Sequence, residues 1–286
     1  MDNTLRIAIQ KKGRLYEDSI GLLKECGISL STGRGKLMAQ AANFPIEVLF
    51  LRDDDIPKYV EGGVADIGIA GGNEVQEKGN HVEVIDHLGF SKCRMSLAIP
   101  REESYPGIGY FNGKKIATSY PFILSEFLRK EGVKADIEVI TGSVEIAPGI
   151  GLAAGIFDIV STGSTLRSNG LKEVEVVLRS EAVLVATPGL NGGKRKLLDQ
   201  LMFRIKAARN ARNNKYILLN APNNAIPAIK ALIPGMKSPT VLPLADEGWS
   251  SVHSVVREDA FWQVIDQLRA LGAEGILVVP IEKMVV

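Results

Sequence analysis

A turn of small hydroxylated residues and glycine follows an apolar run at residues 158–166, which read DIVSTGSTL. Backbone N–H groups, hydroxyls and the start of a predicted helix there face one small volume, a common way of holding a phosphate. A carboxylate such as Asp158 repels a phosphate unless it contacts sugar hydroxyls or a bridging cation, so a ribose phosphate suits the turn. An ordinary polar loop with an N-cap is the alternative. The candidate phosphate contacts are Ser161, Thr162, Gly163, Ser164 and Thr165.

Basic residues follow two other predicted strands, where α/β sheets place their ligands. The segment Gln10-Lys11-Lys12-Gly13-Arg14 carries cations that could hold a di- or triphosphate, with a solvated turn as the alternative. Arg52 follows the second strand and precedes three acids, residues 53–55. Those acids could bind Mg²⁺ or stabilise the start of a helix, and we favour the helix for Asp54 and Asp55.

The composition excludes several classes of protein. The 34 basic residues balance the 33 acidic ones, so no overall field attracts nucleic acid or an anionic membrane. A basic helix face after residue 194 lacks interleaved aromatic residues, which favours a solvated surface. Cys26 and Cys93 form neither a metal-binding spacing nor a disulfide framework. With no leader-peptide pattern and no apolar run of about 18 residues, we expect a cytoplasmic protein.

The apolar pattern predicts elements that would position these residues. Strands at 5–9, 46–51 and 66–70 alternate with helices, which favours a mostly parallel sheet. A second α/β unit contains strands at 94–99, 115–118, 137–140 and 158–161, with helices at 122–131, from Ser164 onward, and from 142 toward Phe157. Residues 182–186 form a strand that returns to the first sheet, and a long helix follows.

The last 70 or so residues follow the order β-α-β-β-α-β, which is typical of a ferredoxin-like unit. A small appended module of this kind more often binds a regulator than catalyses a reaction. The predicted domains are residues 1–93 with 180–214, residues 94–179, and residues 215–286.

Several motifs together resemble ATP phosphoribosyltransferase, the first enzyme of histidine biosynthesis, in its long form. They are IAIQKKGRL at 7–15, LRDDDIP at 51–57, KIATSYP at 115–121, GSVE at 142–145, the 158–166 turn and NGL at 169–171. In the last domain, SPT at 238–240, LPLA at 242–245 and PIEK at 280–283 resemble the family's regulatory domain. The resemblance implies two periplasmic-binding-protein-like α/β domains around a cleft, plus a C-terminal ferredoxin-like (ACT-like) domain.

The resemblance also implies a reaction and its partners. Adenine N1 of ATP attacks C1 of phosphoribosyl pyrophosphate, and pyrophosphate leaves with Mg²⁺, which substrate oxygens mainly hold. Histidine is the implied feedback inhibitor, and dimers and hexamers are the implied assemblies. The chain departs from the family at Ala154-Gly155, where an acid is common, so Asp158 and Glu145 must serve instead.

On this basis each candidate residue receives an expected role. The 161–165 turn would hold the ribose 5′-phosphate, Asp158 would face the ribose hydroxyls, and Glu145 these or Mg²⁺. Lys11, Arg14 and Arg52 would bind pyrophosphate or ATP phosphates from the opposite domain. Tyr120 would pack on a substrate or on the core. The candidate histidine contacts are Asn220, Ser238, Thr240 and Ala273, with ordinary edge and cap residues as the alternative.

Two rival functions use similar architectures. A solute-binding protein or the effector domain of a regulator would have the same cleft, but a secretion signal and a helix-turn-helix motif are both missing from the sequence. A phosphoribosyltransferase acting on a nucleobase usually has paired acids before a longer phosphate loop, and that pattern is absent from the sequence. The 158–166 turn favours the enzyme reading.

Overall fold

The computed structural model describes residues 4–31, 37–78, 81–190 and 192–286. The chain divides into two compact units: Met1–Gly21 with Ser29–Leu197, and Leu22–Ile28 with Leu198–Val286. None of the described helices is long and apolar enough to cross a lipid bilayer.

The elements before residue 191 alternate strand and helix in most places, as predicted. In chain order they are β1 (Leu5–Gln10), α1 (Arg14–Glu25), β2 (Met38–Gln40), β3 (Ile46–Leu51), α2 (Ile56–Glu61), β4 (Ile67–Gly71), α3 (Gly72–Lys78), β5 (Glu83–His87), β6 (Cys93–Pro100), β7 (Lys115–Thr118), α4 (Pro121–Glu131), β8 (Asp136–Val139), β9 (Gly155–Val160), α5 (Ser164–Ser168), β10 (Leu171–Ser180) and β11 (Ala182–Ala186).

The first sheet has the strand order β2-β3-β1-β4-β11-β5 and is hereafter the first lobe, with its helices α2 and α3. Strands β3, β1 and β4 run parallel, whereas β2, β11 and β5 pair antiparallel to their neighbours. The prediction of a mostly parallel sheet is therefore wrong outside the centre, because β2 adds antiparallel at one edge and the returning strand β11 enters antiparallel between β4 and β5. The predicted return of β11 to this sheet is confirmed. Ile7, Ile9 and Ile67 are fully buried, as expected for central strands covered on both faces.

The second sheet has the order β10-β6-β9-β7-β8 and is hereafter the second lobe, with helices α4 and α5. Its strands β9, β7 and β8 are parallel, and β6 and β10 are antiparallel additions. Phe111 and Phe157 fill its core with no exposed surface. The parallel strands end together, so the segments that begin at Ser119, Ile140 and Ser161 leave the same edge of this sheet.

The predicted helix from residue 142 toward Phe157 is wrong. Only the 3₁₀ turn Val144–Ile146 forms, and turns follow it until β9 begins at Gly155. Pro148 removes a helical N–H donor, and Gly151 has φ 75°, a left-handed value that ends a helix. The sequence reasoning also missed β10, because this partly exposed strand carries charged residues on a sheet edge.

After residue 191 the elements are α6 (Gly192–Arg212), β12 (Asn214–Pro222), α7 (Ile226–Leu232), β13 (Thr240–Pro243), β14 (Trp249–Arg257), α8 (Glu258–Ala270) and β15 (Glu274–Pro280). The last four strands form a sheet in the order β13-β14-β12-β15, paired antiparallel throughout. One face of this sheet packs Ile217, Leu219 and Val252 in a core with α7 and α8 residues. This order and connectivity confirm the ferredoxin-like prediction.

Candidate functional site

A cleft of about 720 Å³ lies between the two lobes of the first unit. The first lobe lines it with segments that follow β1, β3 and β4, and the second lobe with segments that follow β7 and β8. Three of the predicted site residues line this cleft together, namely Lys11, Arg52 and Tyr120. The strand ends of both sheets therefore face a common volume, as the rule for α/β sheets predicts.

The predicted phosphate turn links β9 to α5. Gly163 has φ 73°, and the Thr162 and Ser164 hydroxyls lie 3.0 Å apart. The Arg167 Nη1 donates to the Thr162 carbonyl at 3.2 Å. A Cβ on Gly163 would lie 3.3 Å from that guanidinium, so glycine suits both the backbone angle and the space. The hydroxyl contact and the Arg167 bond thus hold the turn in a compact form.

Two further arginines meet at Ser161. Arg14, at the start of α1, donates from Nη1 to the Ser161 hydroxyl at 2.9 Å and from Nη2 to the Lys92 carbonyl at 3.1 Å. Arg94 on β6 donates to the Ser161 carbonyl at 2.9 Å, while Glu173 on β10 accepts another Arg94 N–H at 2.6 Å. The structure therefore places Arg14 beside the predicted 5′-phosphate turn, whereas the sequence reasoning expected it on pyrophosphate or ATP.

The sequence reasoning missed Arg94 and Arg167. Arg94 reaches Ser161 because β6 pairs antiparallel with β9, with Arg94 opposite Val160. No local motif contains that pairing, since the two residues are far apart in the chain. Arg167 directly follows the identified segment 158–166, so its position two residues after Thr165 was a usable signal.

The charge of Glu145 acts on the carboxyl of Asp158. Burial and, to a smaller extent, the charge of Glu145 raise the pKa of the Asp158 carboxyl from its usual 3.8 to about 6. The Ile159 N–H, which donates to Asp158 Oδ1 at 2.7 Å, lowers this pKa and so opposes both effects. Glu145 lies in the 3₁₀ turn that follows Ser143, whose φ is 51°. Ala154 is half-buried just before β9, and its N–H donates to the Lys115 carbonyl at 2.8 Å. The charge of one acid therefore acts on the other, and Ala154 adds no third charge.

Tyr120 connects the two lobes. Its hydroxyl donates to Glu74 Oε1 at 2.8 Å, and burial together with the Glu74 charge raises the pKa of Tyr120. Glu74 is buried with 5% exposure, and burial raises the pKa of its carboxyl. Glu74 was missed, although it lies three residues beyond a strand end in Gly71-Gly72-Asn73.

The three acids after Arg52 have different surroundings. Asp54 accepts two bonds from Arg52, at 3.1 and 3.2 Å, and no side-chain cap bond forms at the start of α2. Burial, then the charge of Glu74, raises the pKa of Asp53 to about 7. Asp53 Oδ1 is buried, with no hydrogen-bond partner among the described residues. Asp54 and Asp55 therefore directly precede α2 as expected, but neither side chain makes a capping hydrogen bond there.

Across the described ranges, no group of three or more His, Cys, Asp or Glu side chains is arranged to hold a metal ion. Cys26 and Cys93 are both free thiols. The donor set of the cleft thus consists of separate carboxylates rather than a closed protein cage.

The four predicted histidine contacts lie in the second unit. Asn220 on β12 pairs with Ser251 on β14, and Thr240 on β13 pairs with His253 on β14. The side chains of Asn220 and Thr240 therefore lie on the same sheet face as Tyr216 and His253, which form a hydrogen bond of 2.8 Å. That face is opposite the one that packs on α7 and α8. Ala273 is buried just before β15, beside the end of β12, and Ser238 is exposed before β13. The sequence reasoning missed Tyr216 and His253 as members of this polar face.

Comparison with known proteins assigns the family. The HisG profile, described as ATP phosphoribosyltransferase, matches residues 52–207, and the profile of the HisG C-terminal domain matches residues 211–283. Proteins named ATP phosphoribosyltransferase are 60% identical over 282 residues in Bacteroides fragilis (99% of this chain, 100% of the relative) and 59% identical over 285 residues in Cytophaga hutchinsonii (100% of both).

Solved structures agree. The ATP phosphoribosyl transferase (HisG:HisZ) complex from Thermotoga maritima matches with a TM-score of 0.61 and 29% identity, over 71% of this chain and 96% of that chain. A substrate binding protein of an amino acid ABC transporter matches with a TM-score of 0.50 and 12% identity, over 73% and 94%, which indicates the fold alone. The predicted family and fold class are confirmed, and the chain belongs to the ATP phosphoribosyltransferase family.

Proposed function

We propose that this chain joins adenine N1 of ATP to C1 of phosphoribosyl pyrophosphate, giving phosphoribosyl-ATP and pyrophosphate as the first step of histidine biosynthesis. Family membership supports the reaction. The observation that carries the assignment of the site is the bond between Arg14 of α1 and Ser161 of the predicted phosphate turn, at 2.9 Å. It joins a cation to the predicted phosphate-binding turn, as binding of a phosphorylated sugar donor requires.

Glycosyl transfer from a ribose pyrophosphate builds positive charge on the sugar, so the protein must mainly align two anionic substrates and screen their repulsion. The N–H groups and hydroxyls of the 161–165 turn hold the 5′-phosphate, and Arg14 adds its charge there. Asp158 accepts hydrogen bonds from the ribose hydroxyls. Lys11 and Arg52, which line the cleft from the first lobe, bind pyrophosphate or the ATP phosphates. Tyr120 lines the opposite wall and packs against a substrate.

Mg²⁺ fits this arrangement as an ion held mainly by substrate oxygens. The charge of Glu145 raises the pKa of Asp158, and a divalent cation bound by Glu145 and the substrate would relieve that repulsion. Bound there, Mg²⁺ would neutralise charge on the leaving pyrophosphate. Glu145 is the protein ligand we assign to it, with Asp158 remaining on the ribose.

Histidine is the proposed feedback inhibitor, bound in the second unit by Asn220, Ser238, Thr240 and Ala273. The match to the HisG C-terminal domain supports this location. The Thermotoga maritima relative forms a complex with a further chain, which supports assembly beyond a monomer. Dimers, an inhibitor-favoured hexamer and a cytoplasmic location remain part of the same proposal.

The experiment is a spectrophotometric assay with ATP, phosphoribosyl pyrophosphate and Mg²⁺, with pyrophosphatase added to remove product. An absorbance change as phosphoribosyl-ATP forms is expected, and no change would reject the activity. A matched pair of variants tests the turn. Gly163→Ala and Gly170→Ala both place a side chain at a left-handed φ, 73° and 68°, at opposite ends of α5.

Only the Gly163 substitution also crowds Arg167, since nothing lies within 4 Å of a Cβ at Gly170. We expect Gly163→Ala to raise the KM for phosphoribosyl pyrophosphate by about tenfold or more, as losing one charge-assisted contact would. Gly170→Ala should leave that KM within about twofold of the parent value. Equal changes in that KM for the two substitutions would contradict the assignment of the 161–165 turn to the donor site.

A further inference from the structure

Helix α4 of the second lobe is capped by a side chain from the first lobe. Glu77, in α3, accepts the Phe122 N–H on Oε1 and the Ile123 N–H on Oε2, each at 2.9 Å. One turn earlier in α3, Glu74 accepts the Tyr120 hydroxyl at 2.8 Å. We call these three bonds the α3–α4 clasp. They connect residues 45 or more positions apart and cross from one lobe to the other.

The clasp satisfies the start of α4 almost completely. The first turn of a helix leaves its N–H groups without intrahelical partners. Pro121 has no N–H, and the Tyr120 N–H donates to the Thr118 hydroxyl at 2.8 Å. The Phe122 and Ile123 N–H groups are the remaining ones, and both bond to Glu77. Tyr120, at the N-cap position, makes no side-chain cap bond, so the cap comes from the other lobe.

The clasp borders the cleft. Glu74 and Tyr120 line it from opposite lobes, and Lys78 lines it one residue beyond Glu77. A negative carboxylate at a helix N-terminus is favoured by the helix dipole, and both Glu77 bonds are charge-assisted. Separating the lobes along this edge must break these bonds and leave two helix N–H groups without their partner.

We infer that Glu77 is a positioning residue for the transfer reaction: its clasp holds the two lobes at the separation at which residues from both can contact the substrates together. Acceptor and donor must lie about 3–3.5 Å apart and in line for transfer, so the separation of the lobes decides how often the empty cleft can bind both substrates in that arrangement. The expected change in KM rests on the proposed function. The expected change in the separation of the lobes rests on the α3–α4 bonds alone.

The kinetic signature follows from a two-state cleft. When only a fraction of molecules has the binding-competent separation, the apparent dissociation constant rises by the inverse of that fraction. Saturating substrate restores the competent state, so turnover at saturation changes little. Glu77→Gln keeps the size of the side chain but loses its charge and one of its two acceptors. We expect it to raise the KM for both substrates about tenfold, with kcat within twofold of the parent value.

Glu126→Gln is the matched control. Glu126 is an exposed acid on α4 that pairs with Arg129 of the same helix at 2.8 Å and does not contact the first lobe through that pair. The same chemical change there should leave both KM and kcat within twofold. If the parent protein shows no turnover, the proposed function fails, whereas an active parent with unchanged Glu77→Gln kinetics overturns the clasp alone.

A merely structural role for Glu77 predicts a different pattern: kcat falls with the folded fraction while KM is unchanged, and this result would also overturn the inference. A readout independent of activity is the distance between two spin labels, measured by pulsed EPR. One label is placed at Lys58 in the first lobe and the other at Lys134 in the second, because both positions are exposed. Cys93 is replaced by Ser, and labelled chains are diluted with unlabelled ones. Glu77→Gln should lengthen or broaden that distance distribution, and an identical distribution would contradict the clasp.

Discussion

Replacing Asp158 by Asn should make the first unit more stable while weakening donor binding. The folded protein raises the pKa of this carboxyl from 3.8 to about 6, mainly through burial. A raised acid pKa means that the charged form is disfavoured in the folded state, so ionisation costs stability. This cost is absent below the unfolded pKa, grows as the pH rises from about 4 to 6, and is complete above that range.

The gap between 3.8 and about 6 corresponds to roughly 3 kcal/mol at pH 8. Asp158 is only half-buried, so we expect about half of this after solvent screening, or an increase in Tm of about 4 °C. At pH 4.5 the linkage relation predicts that the substitution stabilises the folded state by roughly a third as much as at pH 8. Asparagine retains the oxygen that accepts the Ile159 N–H, so this bond need not be lost.

The assay is thermal unfolding of the parent and Asp158→Asn proteins at pH 8 and pH 4.5, without substrates. Asp136→Asn, at an exposed acid that begins β8, is the control and should change Tm little at either pH. In the activity assay Asp158→Asn should raise the KM for phosphoribosyl pyrophosphate about tenfold or more. A Tm gain that is absent at pH 8, or the same at both pH values, would refute the reasoning.

Three further outcomes follow from the structure. Arg14→Ala should lower turnover about ten- to a hundredfold with an unchanged circular dichroism spectrum, because it removes a charge-assisted contact at Ser161; unaltered kcat and KM would exclude that role. Phe157→Ala should cost roughly 3–5 kcal/mol in denaturant unfolding, since this side chain is fully buried, and a loss below about 1 kcal/mol would contradict the packing described. Asn220→Ala combined with Thr240→Ala should abolish inhibition by histidine and preserve activity without it; full sensitivity would move the inhibitor site elsewhere.

Strand positions were predictable wherever the apolar pattern was simple. The segments 5–9, 46–51 and 115–118 became β1, β3 and β7 with shifts of at most one residue, because buried parallel strands are short continuous apolar runs. The pattern failed at 142–157, where apolar residues suggested a helix but Pro148 and the surrounding glycines produce turns. It also failed for β10, whose charged, half-exposed side chains carry no such signal.

By itself the sequence determined the family, the central buried strands and the residue types of the predicted phosphate turn, because all three reside in local motifs. Only the tertiary structure decided which charges meet. Arg94 reaches Ser161 through strand pairing across 67 residues, and Glu77 reaches the start of α4 across 45. The raised pKa of Asp158 likewise depends on how much water the folded chain removes around it. The turn at 158–166 is thus a local feature whose electrostatic surroundings come from segments distant in the chain.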